Sequence, residues 1–128
     1  TSQNSKLNLR ILSFGYKYGI PREADIVVDM RFIKNPFYIK ELRKLTGKDS
    51  KVISYISGQI NFKNFYKLFL ETHKIIIPAF LTEGKKFLTI AFGCTGGIHR
   101  SVMMAEKFSK DIFSKKIKIS LEHRDLEK

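Results

Sequence analysis

The chain has 128 residues, a length that fits one domain with one hydrophobic core. An apolar fraction of 43%, with eleven phenylalanines and five tyrosines, excludes a disordered chain, a collagen-like repeat and a disulfide scaffold. A formal charge of +12 favours anionic partners. The single cysteine, Cys94, indicates a reducing compartment, and neither a signal peptide nor an apolar run of the roughly 20 residues that cross a bilayer is present. A cytoplasmic domain without membrane contact is expected.

The hydrophobic pattern predicts short strands separated by helices. Residues 1–6 are polar and are expected to form a frayed end or a linker remnant, followed by one domain over 7–128. Alternating or continuous apolar runs predict strands over 7–14, 24–30, 87–92 and 116–121. Strands that alternate with helices, some of them apolar on both faces, indicate an α/β domain with a mostly parallel central sheet flanked by helices.

Three helices are predicted between these strands. The first covers about 50–57, with Asp49 as its N-cap and Gly58 as its stop. The second runs from Phe62 to about Leu81 with one apolar face, and Pro78 is expected to kink or break it. The third covers about 98–113.

A glycine-rich segment, residues 93–101, joins the third predicted strand to the third helix. A strand, a glycine-rich turn and a helix start together favour anion binding, since backbone N–H groups and the positive end of the helix dipole face the ligand. Arg100 adds a planar fork that suits phosphate, and His99 titrates near neutral pH. The alternative is a tight turn with a solvated arginine. The remaining candidate ligand-binding residues of the segment are Cys94, Thr95, Gly96, Gly97 and Ser101.

The same segment has the spacing C-x5-R-S, which is typical of cysteine-dependent phosphatases. In that chemistry the Cys94 thiolate attacks phosphorus, Arg100 holds the equatorial oxygens and Ser101 assists the leaving thiolate. Asp29 is the candidate general acid. The alternative is that Cys94 is a small buried apolar residue at the end of a strand.

Ligands of open parallel sheets bind at the carboxyl ends of the strands. Several charged residues fall there and are expected to ring one pocket, in which cations hold an anion and Asp29 holds hydroxyl or ammonium groups. Instead of lining a pocket, Asp29 can cap a helix or form a local salt bridge to Arg31. Lys17 can likewise be a solvated loop residue. The expected ring comprises Lys17, Asp29, Arg31 and Arg100, with His123 and Arg124 as possible members.

Basic residues are concentrated toward the end of the chain and are candidates for RNA binding if they share a face. An ordinary solvated surface is the alternative, because acidic residues are interspersed. The candidates are Lys107, Lys110, Lys115, Lys116, Lys118, Arg124 and Lys128. The histidines and Cys94 show no metal-ligand spacing, so neither a metal nor a cofactor is expected, and His73 is expected to be structural.

Five segments together resemble the C-terminal domain of the RapZ family of RNase adapter proteins, also known as YvcJ-type nucleotide-binding proteins. The resemblance covers nearly the whole chain, in order and in spacing. The segments lie at 12–21 (LSFGYKYGIP), 29–36 (DMRFIKNP), 42–47 (LRKLTG), 93–101 (GCTGGIHRS) and 123–128 (HRDLEK). Full-length members have an N-terminal P-loop domain, and no G-x4-G-K-[ST] occurs here, so nucleotide hydrolysis is expected only in that domain.

The resemblance implies a regulatory domain with no chemistry of its own. Such a domain senses glucosamine-6-phosphate, a phosphorylated amino sugar, and presents small regulatory RNA to an endoribonuclease, and a homo-oligomer is expected. The chain departs from the family pattern Asn-Pro-His-Trp at Phe37 and Tyr38. The family's ligand-binding positions carry over onto Asp29, Arg31, Cys94, Thr95, Gly96, Gly97, His99 and Arg100. A phosphatase and an RNA-binding domain without a ligand are the two alternatives.

Overall fold

Four parallel strands form one sheet in the order β2-β3-β1-β4. The computed structural model describes residues 5–128, so most of the expected frayed opening lies outside the described residues. The strands are β1 (Leu7–Gly15), β2 (Ile26–Asp29), β3 (Phe87–Cys94) and β4 (Ile117–His123). The α/β fold with a parallel sheet is therefore confirmed, although β1, β3 and β4 run one or two residues further than the sequence predicts.

The register brings the carboxyl ends of all four strands to one edge. Gly15 at the end of β1 pairs with Cys94, and Asp29 at the end of β2 pairs with Gly93. His123 at the end of β4 pairs with Ser13. This edge is where the predicted site residues lie.

Three helices pack on one face of the sheet. They are α1 (Ser50–Ser57), α2 (Ile60–Thr82) and α3 (Arg100–Asp111). Alternate residues of the strands point toward the helices and form the main core with them, since strand side chains alternate between faces. This core includes Leu9, Ile90 and Ile117 from the strands and Val52, Phe62, Met103 and Phe108 from the helices.

The other face of the sheet has a smaller apolar cluster. Leu12, Phe14 and Ala91 are fully buried there, beneath Tyr16 and Ala24 of the segment between β1 and β2. A short 3-10 helix at Tyr16–Tyr18 begins that segment. It carries the chain from the end of β1 across the carboxyl edge.

Of the kink or break that the sequence predicts at Pro78, the break does not occur, because α2 continues to Thr82. Ile77 is buried in the core beside Pro78, and packing of this apolar face outweighs the hydrogen bond that proline cannot donate.

In the described part of the chain, no helix has the combination of length and apolarity needed to span a membrane.

The other two helices begin and end close to the predicted positions. α1 follows Asp49 and stops at Gly58, but the Asp49 carboxylate accepts from the Thr46 backbone N–H at 2.7 Å and makes no cap hydrogen bond. α3 starts at Arg100, two residues later than predicted, because residues 95–99 belong to the glycine-rich loop. Its end at Asp111 leaves Phe113 outside the helix.

Candidate anion-binding site

The glycine-rich loop, residues 93–101, occupies the carboxyl edge between β3 and α3. Gly97 has a φ of +77°, a conformation that L side chains rarely adopt. A Cβ atom on Gly97 would also lie 2.7 Å from the Gly15 nitrogen. Only glycine fits this point of contact between the loop and the end of β1.

The segment before α1 supports the loop from the helix side. The Gly47 N–H donates to the Ile98 carbonyl at 2.9 Å. A Cβ atom on Gly47 would lie 2.3 Å from the His99 carbonyl oxygen and 2.4 Å from the Met103 nitrogen. Residues 42–47, one of the five family segments, therefore pack directly against the start of α3.

Arg100 is buried, with 4% of its surface exposed, and lines the cavity beside the loop. Its Nη1 donates to the Ile33 carbonyl at 2.8 Å and the Arg31 carbonyl at 3.3 Å, and Nη2 reaches Thr95 Oγ1 at 3.4 Å. The buried Nε has no hydrogen-bond acceptor among the described residues. Burial lowers the pKa of Arg100, opposed by nearby Cys94 and Asp29, yet a guanidinium remains protonated at neutral pH.

The loop backbone also has unused donors. Among residues 5–128, no hydrogen bond is made by the backbone N–H groups of residues 95–99. Consecutive free N–H groups ahead of a helix, next to a buried guanidinium, are suited to an anion with several oxygens, such as phosphate.

The loop cavity has a volume of about 330 Å³. This is within the usual range of roughly 300–1,000 Å³ for small-molecule sites. The loop forms one part of the cavity wall, and the residues that follow β1 and β2 form the other part. The cavity is lined by Lys17, Tyr18, Asn35, Phe37, Tyr38, Cys94, Thr95, Gly96, Ile98, His99, Arg100 and Lys128.

Cys94 lies at the end of β3 with 2% of its surface exposed. Its thiol donates to Ser101 Oγ at 3.1 Å. The C-x5-R-S residues are thus adjacent in space, with Arg100 close to the Cys94 sulfur. Their arrangement fits a phosphate cradle, and catalysis would also need a general acid.

The candidate acid Asp29 is held as a carboxylate. Arg31 binds it with Nε at 2.9 Å from Oδ1 and Nη2 at 2.8 Å from Oδ2. These hydrogen bonds lower the pKa of Asp29 against the opposing effect of burial. An ionised carboxylate has no proton to give a leaving group at neutral pH, so the geometry matches the alternative of a local salt bridge.

Asp29 and Arg31 lie beside the loop cavity and not on its wall, while the Arg31 guanidinium stacks 3.8 Å above the Tyr16 ring. Thr95, Gly96, His99 and Arg100 line the cavity as expected. Gly97 lies against Gly15 at the end of β1, and Ser101 Oγ accepts a hydrogen bond from the Cys94 thiol, so neither residue lines the cavity.

His99 is buried and its Nε2–H donates to the Leu42 carbonyl at 3.1 Å. Burial lowers the pKa of His99, although backbone carbonyls of Leu42, Leu45 and Arg43 oppose this. The imidazole is therefore neutral at pH 7 and holds the 42–47 segment against the loop.

The residues after β4 also close on the glycine-rich loop. Asp125 is fully buried, and its Oδ2 accepts from the Gly15 N–H and from Arg124 Nη2, each at 2.8 Å. Arg124 also donates to the Gly19 carbonyl at 2.7 Å. His123 lies between Ser13 Oγ and Glu106 Oε2, at 2.7 Å from each. His123 thus connects β1 to α3, Arg124 connects Asp125 to Gly19, and neither lines the loop cavity.

The predicted RNA-binding residues do not share one face. Lys107 and Lys110 line a groove beside α3. Lys118 lies on the sheet face away from the helices, in a depression with Asn8 and Thr89. Side chains alternate between the two faces along β4. Because Ile117 and Ile119 point into the core, Lys118 between them points to the other face.

A basic track instead connects the α3 groove with the loop cavity. Lys48 lines both the α3 groove and a second depression that contains Arg124 and Lys128. Lys128 lines both that depression and the loop cavity, where Lys17 also lies. We call this surface the basic track: Lys107, Lys110, Lys48, Arg124, Lys128 and Lys17.

Sequence reasoning missed several lining residues, chiefly Tyr18, Asn35 and Tyr38. Tyr18 and Tyr38 each end a 3-10 turn, and Asn35 Oδ1 caps the second turn by accepting from the Phe37 N–H at 3.0 Å. The Asn-Pro dipeptide was the available signal for this turn. The position of this turn beside the glycine-rich loop depends on the fold and could not be predicted from the dipeptide.

The architecture is that of an all-parallel α/β domain with a glycine-rich strand-to-helix loop. A family model described as "RapZ C-terminal domain" matches residues 7–127. The chain therefore belongs to the RapZ C-terminal domain family, and the family resemblance of the sequence is confirmed.

Curated relatives carry the name "Nucleotide-binding protein". One from Lactiplantibacillus plantarum is 47% identical over 128 residues, which cover 100% of this chain and 43% of that protein. One from Endomicrobium trichonymphae is 51% identical over 120 residues, covering 94% of this chain and 42% of that protein. One from Carboxydothermus hydrogenoformans is 45% identical over 126 residues, covering 98% and 44%. The chain thus spans less than half the length of these relatives.

Proposed function

We propose that this chain is a regulatory binding domain whose glycine-rich loop holds the phosphate of a phosphorylated amino sugar, glucosamine-6-phosphate. The same domain binds small regulatory RNA on its basic track and presents it to an endoribonuclease in the cytoplasm, as a homo-oligomer. Membership of the RapZ C-terminal domain family supports this regulatory role.

One observation carries the ligand proposal, namely the unpaired Nε of the buried Arg100. Burying a cation with an unused donor is costly unless a ligand supplies the missing acceptor. The neighbouring backbone N–H groups of residues 95–99 are also unused within the described chain. A phosphate monoester has enough oxygens for both donor sets.

The groups around the cavity support an amino sugar as the ligand. Lys17 and Lys128 at the wall favour an anion. The Asp29 carboxylate lies beside the cavity, and although it is paired with Arg31 its oxygens have lone pairs left to accept from hydroxyl or ammonium groups of the same ligand. A sugar that carries both a phosphate and an amine combines these requirements.

RNA binding is supported by the basic track, since cations spaced along connected depressions can follow a phosphate backbone, although Glu106, Asp111 and Glu127 line the same depressions. Lys128 and Arg124 of the track also contact Asp125, which holds Gly15 against the glycine-rich loop. A ligand in the loop cavity and RNA on the track would therefore contact the same small group of residues. Nucleotide hydrolysis, if the relatives' name refers to it, would reside outside this chain.

Isothermal titration calorimetry with glucosamine-6-phosphate tests the proposal, with inorganic phosphate assayed in the same cell. We expect saturable heat without phosphate release. Arg100→Ala should weaken binding by at least roughly thirtyfold, since it removes a buried charge-assisted contact. Cys94→Ser, which keeps a small side chain next to Ser101, should bind almost as well as the wild type.

Phosphate release that disappears in Cys94→Ser would contradict a binding role and establish the phosphatase alternative. Unchanged affinity in Arg100→Ala would contradict the loop as the ligand site. Arg22→Ala serves as a matched control, because Arg22 is exposed and lies outside the loop cavity.

A further inference from the structure

Three aromatic side chains line the part of the loop cavity that is formed by the residues after β1 and β2, and all are partly exposed. Tyr38 is 76% exposed, Phe37 49% and Tyr18 40%. We call them the aromatic rim. Phe37 and Tyr38 contact each other edge to face, with ring centroids 5.8 Å apart. Neither ring belongs to the hydrophobic core.

Binding of a phosphate does not need this rim. A small anion would be held by Arg100 and the loop backbone, on the other part of the cavity wall. Exposed rings next to a phosphate site are suited to a ligand that carries a flat π-face some distance from its phosphate. Nucleobases are the common ligands of this kind, because every base can stack on an aromatic side chain.

Cations lie around the aromatic rim, where they are placed to pair with the phosphates of a nucleotide strand. The ammonium groups of Lys17 and Lys128 lie 5.1 Å and 5.0 Å from the centroid of the Tyr18 ring. The Arg43 guanidinium lies 5.1 Å from the Phe37 ring centroid, held by Nε donating to the Phe37 carbonyl at 2.8 Å. Cations therefore lie next to both Tyr18 and Phe37 of the rim.

We propose that the loop cavity binds a nucleoside 5′-monophosphate unit, with its phosphate on the glycine-rich loop and its base stacked on the aromatic rim. The inference rests on the proposed function in one respect, that the loop holds a phosphate monoester. It adds a second class of ligand, a nucleotide, which would compete with the amino sugar for the same phosphate site. The base would contact Tyr38 and Phe37, and the ribose would lie between the two parts of the cavity wall.

Two sources supply this chemistry, a free mononucleotide and the 5′-phosphorylated end of an RNA strand. The basic track favours the strand end, because it leads from the cavity along Lys128 and Arg124 to Lys48. The end of an RNA would then be anchored in the cavity while the following phosphates lie on the track.

The first experiment compares AMP and UMP with ribose 5-phosphate, which has the same phosphate and sugar but no base. We expect the nucleotides to bind at least about fivefold more tightly, the lower end of what one stacked base contributes. Tyr38→Ala and Phe37→Ala should remove this preference and leave ribose 5-phosphate affinity nearly unchanged. Phe113→Ala is the matched control, since Phe113 is 70% exposed and lies outside the cavity.

The outcomes separate this inference from the proposed function. Equal affinity of ribose 5-phosphate and nucleotides, with both lost in Arg100→Ala, would overturn the base subsite and leave the phosphate site standing. A base preference that survives in Tyr38→Ala and Phe37→Ala would overturn the rim as its cause. Nucleotide binding that is unaffected by Arg100→Ala would overturn both the loop as the phosphate site and the inference that rests on it.

A second experiment distinguishes the two sources with a short single-stranded oligoribonucleotide that carries either a 5′-phosphate or a 5′-hydroxyl. Tighter binding of the phosphorylated form, weakened by Lys48→Ala, supports the strand end. Binding of AMP without any preference for the phosphorylated oligonucleotide supports a free mononucleotide. Absence of binding by both AMP and the phosphorylated oligonucleotide, at concentrations where ribose 5-phosphate binds, would contradict the inference.

Discussion

At the scale of single residues, the site depends on buried polar groups that are held by specific hydrogen-bond partners. Asp125 is fully buried with its carboxylate shared among Gly15, Arg124 and Lys128. Burial opposes ionisation of this carboxyl, but the side chain of Arg124, the Gly15 N–H and Lys128 together hold the pKa of Asp125 below its ordinary value. Asp125 is therefore an anion that keeps β1 in contact with the loop.

His99 gives a prediction about pH. Burial lowers its pKa below the ordinary value of 6.5, so the unfolded chain takes up a proton at a higher pH than the folded chain does. The stabilisation is complete above pH 6.5 and is lost as the pH falls through the lowered pKa. The loss is at most about 1.4 kcal/mol per pH unit for one histidine.

His99→Gln should reduce this dependence, because the glutamine amide can still donate to the Leu42 carbonyl but does not titrate. Urea unfolding at several values from about pH 8 to about pH 5 measures it. Some dependence should remain, since burial also lowers the pKa of His73. An unchanged pH profile in His99→Gln would show that His99 is not the titrating group.

At the scale of elements, the tight contact of the loop with β1 predicts different costs for two glycines. Gly97 and Gly84 both have positive φ, but a Cβ on Gly84 meets no atom within 4 Å, whereas one on Gly97 lies 2.7 Å from the Gly15 nitrogen. Gly84→Ala should cost about 1–2 kcal/mol from conformation alone. Gly97→Ala should cost more, and it alone should weaken anion binding.

Urea unfolding gives both free energies, and titration with glucosamine-6-phosphate gives the second readout. Equal losses of stability with intact ligand binding in both variants would show that the loop can move away from β1.

Pro78 gives a second prediction at this scale. α2 passes through Pro78, which cannot donate a backbone hydrogen bond within the helix. Pro78→Ala should therefore raise the free energy of unfolding by about 1–3 kcal/mol, since alanine restores the donor and favours the helix. Thermal and urea unfolding measure the change. A destabilised variant would indicate that the proline ring itself contributes to packing beside Ile77.

Much of the architecture could be predicted from the sequence because strands and helices differ in the period of their apolar residues. The run Ile26–Asp29 and the alternation of Ile117 and Ile119 are local signals, and both became strands of the parallel sheet. Continuation of α2 beyond Pro78 could not be predicted, because it depends on tertiary packing of Ile77. The glycine-rich loop and Arg100 were recognisable by type and spacing.

The residues after β1 and β2 that line the cavity could not be predicted from local sequence patterns. Tyr38 and Tyr18 precede Gly93, the first residue of the loop, by 55 and 75 residues, and only the sheet register brings these segments together. Asp29 and Arg31 show the converse case, in which residues predicted for the site pair with each other over a two-residue separation.

At the scale of the whole molecule, basic residues lie on both sides of the sheet. Lys48 lies on the basic track, whereas Lys118 lies on the sheet face away from the helices. Lys48→Ala should weaken binding of a structured small RNA and lower the slope of log affinity against log salt by roughly one, as expected for one lost phosphate contact. Lys118→Ala should change the slope little.

Filter binding or fluorescence anisotropy over a range of salt concentrations measures these slopes. Lys74→Ala, at an exposed position on α2, controls for the general loss of one positive charge. Equal effects of the Lys48 and Lys74 substitutions would indicate that RNA binding follows net charge and not the basic track.

The glycine-rich loop as the anion-binding site is tested most directly by an NMR titration of the 15N-labelled domain with glucosamine-6-phosphate, followed through its backbone amides. The largest saturable shifts are expected at the amides of residues 95–99, together with the Nε–H signal of Arg100. Shifts confined to the basic track, or no shifts at these amides under saturating ligand, would contradict the glycine-rich loop as the anion-binding site.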